Sequence, residues 1–169
     1  MRTLLVAVLA GVLGVGAVPL SAQQDKSAPE DLHILLTRQH RFAMTHARRV
    51  EDAEAAEKED AVREVEALGN AIEGALSELE DVAKAVGPNH AAQIEVIKNH
   101  ELDAQKRWQL ANAEGANGKL SVMKTNAAAA REAIDAAETA HQKLMTQMDA
   151  AGKTAAAKPD TSKPAVVKQ

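Results

Sequence analysis

Residues 61–90, AVREVEALGNAIEGALSELEDVAKAVGPNH, decide the fold class. Val65, Leu68, Ile72, Leu76, Leu79, Ala83 and Val86 recur at three- and four-residue intervals, which places them on one face of a long α-helix. Gly87-Pro88-Asn89 then ends that helix and opens the next, with glycine just past one end and proline at the other start.

Working outward, the same period appears on both sides. Downstream, Ile94, Ile97, Glu101, Ala104 and Trp108 form a stripe to about Ala113, and Glu114-Gly115-Ala116-Asn117-Gly118 reads as a loop. A last helix from about Lys119 carries Met123, Ala127, Ala130, Ile134, Ala137, His141, Leu144 and Met148 on one seam. Upstream, Pro29, Glu30 and Asp31 suit a first helical turn, and Leu32, Leu35, Leu36, Phe42, Ala43 and Val50 share a face. Glu54, Glu57 and Glu64 interrupt that stripe, so a turn is expected near Glu57-Lys58-Glu59-Asp60. The alternative is one long helix packed on two shorter ones. Four segments of similar length with short connections predict an all-α, antiparallel up-down four-helix bundle over residues 30–151.

The ends of the chain read differently. Arg2, the apolar run Leu4–Val18 and the small residues before Gln23 match a secretory signal peptide over 1–22, with cleavage expected after Ala22 or, less favourably, Ala17. The run is short of the roughly 20 residues of a membrane span. A periplasmic or secreted location follows, and without cysteine there is neither a lipoprotein anchor nor a disulfide. Residues 23–29 read as a flexible leader. Residues 152–169, with Lys153, Lys158, Lys163 and Lys168 among Pro and Ala, read as a disordered tail.

The formal net charge of −4 argues against a nucleic-acid partner. No phosphate-binding loop, nucleophile elbow or thiol site is present in the sequence, and Phe42 and Trp108 are the only aromatic residues. Catalysis on an organic substrate is therefore not expected. A first expectation is a non-enzymatic exported protein with a structural or partner-binding role, meeting an envelope protein or a second copy through its helix faces. A second is metal binding or buffering. His33, His40 and Met44 on the first helix, and His141, Met145 and Met148 on the last, fall at helical spacings that bring two antiparallel neighbours face to face. Imidazole and thioether together suit copper, with nickel and zinc as further candidates. His46 and His90 fall on core faces, and His100 lies off centre.

Three resemblances attach to particular residues. Glu30-Asp-Leu-His33 and Glu138-Thr-Ala-His141, with Glu101 in the third helix, resemble the ligand pattern of di-iron carboxylate bundles. Against that pattern, Glu138 is expected to one side of its seam, and Glu101 to pair with a neighbouring cation or with His46. Thr139-Ala-His141-Gln-Lys143 resembles the end of the last helix of soluble b-type four-helix cytochromes, which implies haem on His141 with Met44 opposite. Without aromatic residues to line a pocket, haem is not expected. Phe42-Ala-Met44-Thr-His46-Ala, Val86-Gly-Pro-Asn-His90 and Lys98-Asn-His100-Glu101 are similar in style to small periplasmic metal-binding bundles, which implies a metal-handling role.

Overall fold

A computed structural model describes residues 29–156, with side chains placed from 31 to 151. The segment read as a signal peptide, the residues up to Ala28 read as a leader, and the part of the expected tail beyond Ala156 lie outside the described residues. Four helices follow one another: α1 (Pro29–Asp52), α2 (Lys58–Val86), α3 (Ala91–Ala116) and α4 (Leu120–Ala156). Each packs on its chain neighbour, and α4 closes back on α1, which is the ring of an antiparallel bundle. No strand occurs among the described residues, and no helix there is long and apolar enough to cross a membrane.

The expected interruption after the first helix is real and falls slightly earlier than read. α1 stops at Asp52, and a single 3₁₀ turn, Ala55–Glu57, leads into α2. The Glu57 carboxylate accepts the backbone N–H of Glu54 at 3.0 Å, and Lys124 on α4 donates to the Ala53 carbonyl at 3.0 Å. Charged residues at this point thus satisfy the freed backbone groups of a helix end. At the other boundary Gly87 takes φ 75°, a conformation that side chains with a Cβ rarely adopt, and its N–H bonds the Ala83 carbonyl. α3 runs to Ala116 and α4 to Ala156, five residues into the segment read as tail.

Two apolar clusters fill the bundle. The larger, at the α1–α2 turn end, is mostly alanine: Ala43, Ala47, Ala104, Ala111, Ala127 and Ala130 pack with Val50, Leu68, Ile72 and Ile134. Small side chains let the helices approach closely, and Trp108 supplies bulk where they would otherwise leave a gap. Gly69 on α2 accommodates it; a Cβ there would overlap the indole ring. The second cluster holds Leu36, Ala75, Leu79, Val82, Ile97, Ala137 and Leu144. Phe42 does not join either core as read from its phase. It is 44 % exposed, with the Arg38 guanidinium 5.2 Å above its ring.

Candidate metal centre

The buried face of α1 runs His33, Leu36, His40, Ala43, Ala47, Val50, so the histidines stand in the apolar stripe itself rather than beside it. His40 falls between Leu36 of one cluster and Ala43 of the other. Glu101 on α3 falls likewise between Ile97 and Ala104. A polar layer therefore separates the two apolar clusters, and α4 completes it with Glu138 and His141. Every buried position of α2 is apolar or glycine, so the layer belongs to three helices.

His40, Glu101 and His141 are fully buried, and His33 and Glu138 nearly so. His40 is held at both ring nitrogens: Nδ1 lies 2.7 Å from Glu138 Oε2 and Nε2 lies 2.8 Å from Glu101 Oε1. Two acceptors at hydrogen-bond distance call for two ring protons, hence an imidazolium. Burial works against that charge, but the hydrogen bonds and charges of Glu101 and Glu138 outweigh it and raise the His40 pKa. The carboxylates divide. Burial raises the pKa of Glu101 despite His40, whereas for Glu138 the hydrogen bonds of His40 and Gln142 overcome burial and lower it.

His33 and His141 form the other half. His33 Nδ1 lies 2.7 Å from His141 Nε2, and the rings stack with centroids 5.0 Å apart. Burial lowers the pKa of both. For His141 the charges of His33 and His40 add to burial and take it to about 4. These two imidazoles are neutral at ordinary pH, the form that ligates metals. His40 meets His141 edge to face at 6.1 Å.

His40, Glu138 and His141 can each offer one ligand atom within 4.8 Å of the others. At this level Glu101 Oε2 and His141 Nδ1 are buried without a hydrogen-bond partner. Leaving such atoms bare in a core is costly, on the order of 1–3 kcal/mol each and more for a charged group.

Of the residues read from sequence, His33, His40 and His141 come together as expected. The methionines take other places. Met44 packs against the alanine-rich cluster, Met148 against the second, and Met145 is 36 % exposed at the rim of a cleft beside His33. The expected pairing of Glu101 with His46 does not form: His46 Nδ1 bonds Glu64 Oε2 at 2.6 Å, near the turn end. Glu138 is also corrected, since it faces into the bundle rather than to the side of its seam. Its Glu-x-x-His spacing places carboxylate and imidazole one turn apart, which was the signal that could have found it. The side chain of Glu30 lies outside the described residues. Comparison with protein-family models, curated proteins and solved structures finds no match to this chain.

Proposed function

We propose that this is an exported protein that holds a divalent transition-metal ion in the polar layer of its bundle, with His40, Glu138 and His141 as ligands and Glu101 held on the far ring nitrogen of His40. The observation that carries this reading is the convergence of three buried ligand residues within 4.8 Å, at a level where His141 Nδ1 and Glu101 Oε2 are buried without a hydrogen-bond partner. Two imidazoles and a carboxylate form a borderline-to-hard donor set, which suits Zn(II), Ni(II) or Cu(II) better than Cu(I). Ligand atoms around a tetrahedral ion at ~2.0 Å stand about 3.3 Å apart. Side-chain shifts of about an ångström would bring His40, Glu138 and His141 there, with the ion replacing the proton now held between His40 Nδ1 and Glu138.

His33 fits the role of a positioning residue. If His141 ligates through its unpartnered Nδ1, its proton must sit on Nε2 and be donated to His33 Nδ1. Such an outer bond fixes the tautomer and ring orientation of a metal-ligating histidine. All three ligands are buried in the bundle core, which favours holding or buffering an ion over catalysis. Arg2 and the apolar run Leu4–Val18 support export.

Thermal unfolding tests the reading. Zn(II), Ni(II) or Cu(II) at ~100 times its dissociation constant adds about 2.7 kcal/mol by linkage and raises Tm by roughly 10 °C. Cu(I) should do much less, and Glu101→Leu should shrink the response. A melting curve unmoved by all three divalent ions contradicts the proposal. A second reading, partner binding through helix faces, is favoured by exposed Val96, Leu110 and Val122. Sedimentation that shows a monomer up to high concentration would oppose self-association as its form.

A further inference from the structure

An open cleft of about 380 Å³ lies beside the polar layer, between α1 and α4. His33 forms part of its wall, Arg38 and Arg41 stand on one side, and Ile34, Phe42 and Met145 supply apolar surface. Its volume falls within the roughly 300–1,000 Å³ range of small-molecule sites. Two features set it apart from the rest of the surface. The chain carries a formal net charge of −4, yet two guanidiniums meet here and neither makes an ion pair among the described residues. Three large apolar side chains are exposed in the same place: Ile34 at 64 %, Phe42 at 44 % and Met145 at 36 %.

We infer that this cleft binds a small organic carboxylate, with its charged end held by Arg38 and Arg41 and its apolar body against Ile34, Phe42 and Met145. Guanidinium donors match the geometry of a carboxylate, and Arg38 over Phe42 already joins the charged and apolar sides of the cleft. Asp149 is the acid whose charge reaches His33, and it opposes an anion bound there. Among the described residues His33 Nε2 has no hydrogen-bond partner, its Nδ1 being taken by His141. Its role as a third donor to the anion rests on the metal reading, through the tautomer that reading sets; the two arginines act without it.

Benzoate is the probe, with benzamide and inorganic phosphate as controls that lack, respectively, the charge and the apolar body. Titrations of the chelator-treated protein followed by amide NMR should show saturable benzoate binding centred on α1 near Ile34–Phe42. Benzoate should bind at least tenfold more tightly than either control. Arg38→Gln/Arg41→Gln should weaken benzoate at least tenfold, and Phe42→Ser should weaken it without affecting phosphate. All three positions are exposed, so unchanged helical circular dichroism is expected in both variants. Benzoate binding no tighter than benzamide or phosphate, or untouched by the double substitution, overturns the inference. Arginine-dependent benzoate binding sustains it even if divalent ions leave the melting curve unmoved, so the two proposals can fail separately.

Discussion

Glu101 and Trp108 lie seven residues apart on α3 and so share a face, and both are polar groups turned towards the bundle interior. Around Trp108 everything is settled. Its indole N–H donates to the Val65 carbonyl at 2.8 Å, and Gly69 leaves room for its ring. Around Glu101 the packing is equally close but the polar account is left open, with Glu101 Oε2 and His141 Nδ1 bare in the core. A bundle selected for stability alone would treat both levels alike. On the metal reading proposed above, the contrast marks a polar layer kept at a cost to stability, as sites for ions commonly are.

The sharpest way to break this contrast is to remove one member of each level. His40→Ala leaves Glu101 and Glu138 buried without their cation. In the metal-free protein it should cost about 3–5 kcal/mol, read as a lower urea midpoint. The opposite change, His40→Leu with Glu101→Leu and Glu138→Leu, removes the buried charges together. It should stabilise the metal-free protein by about 1–4 kcal/mol while abolishing any response to metal. A triple variant that is less stable than the parent would mean the layer is a structural network in its own right.

Acid should separate the two levels further in chelator-treated protein. His141 is held at a pKa of about 4 when folded against 6.5 when unfolded, so the unfolded chain binds more protons between these values. Its contribution is present above pH 6.5 and lost as pH falls towards 4, on the order of 3 kcal/mol. His40, with its pKa raised, acts in the opposite sense, stabilising below pH 6.5 and losing that contribution as pH rises through its folded value. Comparing urea midpoints at pH 7 and pH 5 with those of His141→Leu isolates the first term. The variant should lose less stability on acidification.

At the settled level the effects are those of packing. Gly69→Ala drives a Cβ into the Trp108 ring and should cost about 1–3 kcal/mol despite alanine's better helix propensity. Trp108→Phe gives up one hydrogen bond and part of the ring, the smallest effect at about 1 kcal/mol. Neither should alter the response to metal.

Much of this architecture was legible in sequence because it rests on local periodicity. The stripe from Val65 to Val86 and the Gly87-Pro88 break fixed the α2–α3 boundary, and the loss of apolar phase after Val50 located the α1–α2 turn to within a few residues. His33, His40 and His141 were legible as a facing set for the same reason. Glu101 was legible as an inward residue of the third helix's stripe, but its partner and the inward turn of Glu138 were not, because a glutamate beside a helix seam reads as solvated surface unless something across the bundle meets it. Only packing reveals that Glu138 turns towards His40, or that His40 rather than His46 faces Glu101. Phe42 misled in the opposite way. Its phase lay near the inner face, but close alanine packing left no space for a ring, and Arg38 one turn earlier gave it a partner outside.

The central claim, that the unsatisfied layer is a carboxylate–imidazole ion site, is tested most directly by X-ray absorption at the zinc edge of protein loaded with one equivalent and then desalted. The expected result is one retained ion with a nitrogen and oxygen shell at ~2.0 Å, imidazole scattering beyond it, and no retained ion in His40→Leu/Glu101→Leu. An ion washed away by desalting, retention in the double variant, or a shell of sulfur at ~2.3 Å would contradict it.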